Sequence, residues 1–204
     1  MAVLNVNPTR MELTRLKKQL STALRGHKLL KDKRDELMRQ FLDMIRETKT
    51  LREEVEERLK SVNNDFVLAS SVMSKEELDT ALLAPKQEVY LEASTRNVMS
   101  VDIPVYSFKT RTSEQSDIFS YGFASTSFEL DDAVSGLSDL LPKMLKLAEM
   151  EKSVKLMADE IEKTRRRVNA LEHVMIPDTQ AKIKTITMKL DENERSTQIR
   201  LMKV

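Results

Sequence analysis

The chain contains no cysteine and no tryptophan. Without cysteine it forms no disulfide, no thiolate zinc site and no cysteine nucleophile, and it fits a reducing compartment. It has only three glycines, where average usage of about 7% would give roughly fourteen. With that goes the absence of any P-loop or Gly-rich phosphate cradle. There is no run of about 18 apolar residues, so no segment is expected to span a bilayer. The opening "MAVLNVNPTRMELTRLKKQL" lacks the apolar stretch of a signal peptide. Charge of one sign is also missing: the formal net charge is +1. No overall field therefore favours nucleic acid or a membrane surface, and any electrostatic role must come from local clusters. With two histidines and no cysteine, a transition-metal site is not expected and no cofactor is implied.

What remains is rich in Leu, Met, Lys, Arg and Glu, with a third of all residues charged and 4% aromatic. That is the composition of long helices, with too much Leu and Met for a disordered chain. "NVNPTRMEL" predicts a helix start, with Asn7 as cap and Pro8 where a missing N–H costs nothing. From there apolar positions step by three and four: Leu13, Leu16, Leu20, Ala23, His27, Leu30, Arg34, Leu37, Phe41, Met44, Thr48, Leu51, Val55. Ten of these thirteen are apolar, a heptad pattern sustained for about six repeats. A helix to about Phe66 would run roughly 85–90 Å at 1.5 Å per residue. No compact domain of this size holds such a helix, so it must project.

"SVMSKEELDTALLAP" reads as a short second helix, with a capping box of Ser74 and Glu77 and a stop at Pro85. Residues 86–128 alternate apolar and polar at Val89 and Leu91, then at Met99, Val101, Ile103 and Val105. They predict two or three short strands forming a hairpin, with Pro104 at an edge. Tyr90, Tyr106, Phe108, Phe119, Tyr121 and Phe123 concentrate here and are expected to pack the insert onto the helices. Helix returns near Leu130. Leu140, Met144, Leu147, Val154, Ala158, Ile161, Val168 and Met175 continue a seam that Glu151, Arg165 and Glu172 interrupt. After Pro177 it resumes at Ile183, Ile186, Leu190, Thr197, Leu201 and Val204. The eight-residue step from Met175 to Ile183 reads as a stutter. Pro142 and Pro177 are each a kink or the first turn of a restarted helix.

The expected fold is mainly α. It is a long antiparallel two-helix coiled coil of residues 1–73 and 130–204, carrying an α+β insert with a hairpin at 74–129. Homodimeric coiling is the alternative that the pattern leaves open.

"EKTRRRVNALEHVMIP" then raises a question of charge. Successive helical residues lie about 100° apart, so Arg165, Arg166 and Arg167 point three ways. Folding back at Phe66 and Leu130 places them level with residues 33–35, beside Arg25, Lys28, Lys31, Lys33 and Arg34. The result is a basic collar, suited to a shaft that its partner encloses. The plain alternative is a solvated charged face. A nucleic-acid-binding coil is disfavoured by the near-zero net charge and the lack of a single basic face. His27 and Arg34 read as polar seam residues that set register. Gly26 lies mid-helix, where glycine costs about 1 kcal/mol against alanine; close approach of a partner and simple tolerance both fit. Carboxylates on a charged helix surface have nothing to raise their pKa for acid–base work, so no catalysis is expected.

"NVNPTRMELTRLKKQL", "RGHKLLKDKRDELMRQF" and "LPKMLKLAEMEKSVKLMADEIEKTRRRVNALEHVMIP", followed by "ITMKLDENER", resemble the D-subunit family of V/A-type rotary ATPases. The resemblance covers nearly the whole chain in the same order. It implies a noncatalytic rotor axle, an antiparallel coiled coil with a small hairpin-bearing insert that transmits torque. The tip carrying both termini would enter the hexamer of catalytic A and noncatalytic B subunits, which Arg25, Lys28, Lys33, Arg34, Arg165, Arg166 and Arg167 would face. The small F subunit would bind the lower shaft, where Met38, Met44, Met144, Met150 and Met157 fall at comparable heights; filling the seam between the helices is the more common reason for such residues. A funnel-shaped C subunit would seat the other end on the membrane ring, peripheral to the cytoplasmic face of the plasma membrane. A non-rotary scaffold or tether is the competing reading.

Overall fold

A computed structural model of the chain describes residues 7–112, 114–122, 124 and 126–203. Phe123 and Val204 lie outside the described residues. The elements are α1 (Arg10–Val72), α2 (Lys75–Leu82), β1 (Val89–Val98), β2 (Val101–Thr110), a short 3-10 turn (Gln115–Ile118), α3 (Phe128–Ala170), a π-helical turn (Leu171–Met175) and α4 (Ile176–Met202). The fold is the expected one: a long N-terminal helix packed with the C-terminal helices, and a two-stranded antiparallel sheet inserted between them. Among the described residues no helix is long and apolar enough to cross a membrane.

Two compact units are distinguished: Met1–Met38 with Asp159–Val204, and Arg39–Ala158. In the first, antiparallel pairing is marked by the ion pairs Arg10–Glu194, His27–Glu172 and Lys33–Glu160. In the second it is marked by Arg52–Glu151 and Glu54–Lys143. In every pair the residue numbers add to about 200, which is the register that folding back at the insert demands. Each α1 seam position from Leu13 to Val55 is buried or half-buried, and the heptad continues through Val62 and Ala69. His27 and Arg34 lie in it half-buried, beside Glu172 and Asp35. The α1 cap is Thr9 rather than Asn7: its hydroxyl accepts from the Glu12 amide at 3.3 Å.

The seam of the returning helix differs from expectation. In α3 and the turn that follows, it runs through Met150, Ser153, Met157, Ile161, Thr164, Val168 and Leu171, all buried or half-buried, in unbroken three- and four-residue steps. Ala158, Arg165 and Glu172 are off this line by one residue. The small polar Ser153 and Thr164 concealed it, being 5% and 0% exposed. The phase break is also elsewhere. It is a five-residue step from Leu171 to Ile176 across the π turn, whose closing bond runs from the Ile176 amide to the Leu171 carbonyl. A π turn inserts one residue into a helix. It restores the seam as Ile176, Thr179, Ile183, Ile186 and Leu190. Pro177 sits in the first turn of α4, directly after the π turn, whereas Pro142 lies inside α3. Thr197 and Leu201 are exposed, so the seam ends at Leu190. The reason is that α1 begins only at Arg10, paired with Glu194.

In the second unit the capping box of Ser74 and Glu77 forms as read. It starts α2, which closes a small core of Ala69, Met73, Ala81 and Leu130, against which Leu78, Tyr121 and Val134 pack. β1 and β2 pair with Val98 opposite Val101. The two-residue turn between them places Met99 and Ser100 at φ 51° and 71°, the left-handed conformation that such tight hairpin turns require. The Asn97 side chain closes the turn by accepting from the Ser100 amide at 3.1 Å. β1 is almost wholly exposed, whereas Val101 and Ile103 of β2 are buried. The Tyr106 amide donates to Glu149 of α3 at 2.9 Å, fastening the hairpin to the helix.

Candidate functional site

The collar follows from the phase of α3. Thr164 and Val168 are 0% and 1% exposed and face the paired helix. The three residues between them have only the outward arc to occupy, and Arg165, Arg166 and Arg167 are all exposed. Lys33–Glu160 at 3.7 Å and His27–Glu172 at 3.4 Å bracket them along the pair. They therefore fall level with the α1 stretch between His27 and Lys33, slightly N-terminal of the expected 33–35.

The cations divide by what they touch. Lys33 and Arg34 are half-buried and neutralised locally, by Glu160 and by Asp35 at 2.6 Å. Arg166 pairs with Glu162 one turn earlier on its own helix. Arg25 folds back on Ser21, donating to its carbonyl and hydroxyl at 3.4 Å. Lys28, Arg165 and Arg167 are exposed and have no carboxylate partner among the described residues. The outward-facing charge is therefore carried by Arg25, Lys28, Lys31, Lys163, Arg165 and Arg167. The i,i+4 spacing of Glu162 and Arg166 was readable in the sequence. The carboxylates of Glu160 and Glu172 were not, because which helix faces they meet depends on the phase of α3.

The methionines separate as well. Met38 is 39% exposed, and Met44 and Met150 are half-buried at the seam. Met157, at 1% exposed, is sealed within the seam, so a partner resting on the closed pair does not reach it. Filling the space between helices accounts for it, as expected for a flexible, adaptable side chain.

In the insert, several titrating groups are displaced from their ordinary values. The Ser74 amide, and then its hydroxyl, hold the Glu77 carboxyl down. The hydrogen bond from Lys86 does the same for Asp117. Burial, together with the bond it donates to Asp131 at 2.8 Å, pushes the Tyr121 phenol up. These pairs are structural ties; Ser74, Glu77 and Tyr121 also line an open groove with Ser120 and Thr126. Among the described residues no cluster of three or more His, Asp or Glu side chains could hold a metal ion.

Known proteins share this architecture's sequence from end to end. The family model for the ATP synthase D subunit matches residues 12–204. The V-type ATP synthase D subunit of Acetivibrio thermocellus is 63% identical over all of this chain and 92% of its own length. That of Clostridioides difficile is 61% identical over all of this chain and 91% of its own length. That of Clostridium novyi is 57% identical over all of this chain and 95% of its own length. With the family model spanning almost the whole chain and relatives this similar matched nearly end to end, the chain belongs to the ATP synthase D-subunit family and is a component of a V/A-type ATPase.

Proposed function

We propose that the chain is the central rotor axle of its complex, transmitting torque between ATP turnover in an A–B hexamer and ion translocation in the membrane ring. The observation that carries the reading is the cluster of exposed cations without carboxylate partners among the described residues, Lys28, Arg165 and Arg167, gathered at one level of the antiparallel helix pair. Family membership narrows the role to a component of a rotary ATPase.

In this reading residues 1–73 and 130–204 form the shaft and 74–129 project from it. Arg25, Lys28, Arg165, Arg166 and Arg167, with Lys33 and Arg34 behind them, face the hexamer. Met38, with Met44 and Met150 at the seam, lies where the F subunit docks. The C subunit receives the other end, on the cytoplasmic face of the plasma membrane. Charge suits a rotating contact. Coulomb attraction tolerates changes of angle and distance, whereas interdigitated apolar packing holds one arrangement.

The test is reconstitution of the chain and the F subunit with an A–B hexamer from the same source, reading complex formation and ATP hydrolysis together. One copy per hexamer with altered turnover is expected. Replacing Arg165, Arg166 and Arg167 by glutamine should weaken entry on the order of tenfold at low salt and flatten the salt dependence. A triple variant that binds like the parent at every salt concentration removes the collar from the mechanism. A well-folded chain that never enters the hexamer leaves the tether reading.

A further inference from the structure

Gly26 has no internal reason to be glycine. It lies mid-helix in α1 without a positive φ, and a Cβ built there meets nothing within 4 Å. A residue that weakens the helix thus stands where neither backbone conformation nor packing among the described residues calls for it.

Across from it lies the π turn, whose first residue Leu171 ends the α3 seam, and a groove of about 530 Å³ opens between this turn and α1. Ala23, Gly26, Leu171 and Met175 line its apolar part, with Arg15 and Lys18 alongside. Lys18 is exposed and has no ion pair among the described residues. Arg15 reaches Glu12 only at 3.7 Å, with 78% of its side chain exposed.

We propose that, at one angular setting of the shaft, this groove seats an apolar side chain carried beside a carboxylate on the protein that surrounds the shaft. The apolar group fills the space over Gly26, and the carboxylate meets Lys18 and Arg15. The absent Cβ gives the seat its depth, and the π turn opens its far wall. The charges choose an acidic neighbour over a basic one, because a second cation against Lys18 and Arg15 is repelled. The inference rests on the axle reading, since it takes the surrounding protein to be the A–B hexamer.

The experiment measures the Kd for the A–B hexamer over a range of salt for the parent chain, Gly26→Ala, Gly26→Leu and Lys18→Glu. Gly26→Leu should bind at least tenfold more weakly at every salt concentration, because occlusion is not screened, while Gly26→Ala stays within about threefold. Lys18→Glu should bind several-fold more weakly at low salt and converge on the parent at high salt. Gly26→Leu should melt no lower than the parent, since its Cβ has open space and leucine is the better helix former. If it does melt lower, Lys18→Glu on the exposed surface decides alone. Parent-like affinity of Gly26→Leu or Lys18→Glu, with hexamer entry intact, overturns the groove and leaves the axle standing. Failure of the parent to enter the hexamer overturns both.

Discussion

Gly136→Ala should destabilise the helix pair even though alanine is the better helix former. A Cβ at Gly136 would lie 2.7 Å from Val62 Cγ2, where carbon atoms pack best at about 3.5–4.0 Å, so roughly 1 Å of space must be found. Val62 is 7% exposed and, being β-branched in a helix, has one strongly preferred rotamer, so it cannot turn aside cheaply. Overpacking of this kind costs about 1–3 kcal/mol. Against it stands about 1 kcal/mol of helix propensity regained, for a net loss of about 1 kcal/mol. Urea unfolding followed by far-UV circular dichroism reads the change as a shift in midpoint. The control is the same substitution in a Val62→Ala background. That background itself loses roughly 1.6 kcal/mol, at about 0.8 kcal/mol for each buried carbon removed. With Cγ2 gone the clash disappears, and Gly136→Ala should become stabilising. The change of sign is a coupling of roughly 2 kcal/mol, within the range for residues in contact. If Gly136→Ala stabilises the parent, or shifts both backgrounds equally, the contact does not govern this position.

Thr164→Val should raise stability by about 1 kcal/mol in the same assay, because the buried Thr164 hydroxyl has no hydrogen-bond partner among the described residues and valine keeps its shape. Ser153 and Thr179 differ: their hydroxyls donate to the Glu149 and Met175 carbonyls at 2.8 and 2.7 Å, and a drop in the Thr164→Val midpoint would show that Thr164 is satisfied likewise. Replacing Met99-Ser100 by Asn-Gly should increase hydrogen-exchange protection of β1 and β2 by about 1–2 kcal/mol, since both positions have positive φ and the new pair adopts it with little strain. Unchanged protection would mean that the turn is not strained. The Glu77 carboxyl is held below its ordinary value by the Ser74 amide and hydroxyl, so its folded pKa lies below the unfolded one. Its contribution to α2 is complete above the unfolded pKa and is lost as pH falls through the folded one. Amide protection in α2 should fall across that acid window, and Glu77→Gln should flatten the fall; an equal pH dependence in the variant would assign it to another group.

Much of the architecture was legible in the sequence because it rests on period and punctuation. Thirteen α1 positions chosen at three- and four-residue steps are all withdrawn from solvent. The Ser74–Glu77 box and the alternation after Val89 marked α2 and the hairpin correctly. These signals are local, set by helical geometry, backbone hydrogen bonding and the pleat of a strand. The α3 seam was harder because two of its members are small and polar, and a scan for large apolar residues chose neighbours one place away. That error of one residue is a rotation of about 100° on a helix. It decides that Met157 is sealed in the seam and that all three arginines face outward.

The sequence by itself determined that long helices form, which face of α1 is apolar, where the helices yield to an insert, and that the basic residues cluster around "KTRRR". Only the tertiary structure decided that the helices pair antiparallel within the chain, which the heptad pattern allows equally between two chains. It alone placed the extra residue of the returning helix in a π turn before Pro177, because the position of a phase shift depends on the seam it must rejoin. The glycines show the division most plainly. Gly26 and Gly136 are alike in sequence, each a mid-helix glycine, yet one faces open space and the other accommodates Val62. What distinguishes them is the distance to a side chain more than seventy residues away in the chain, which no local rule contains.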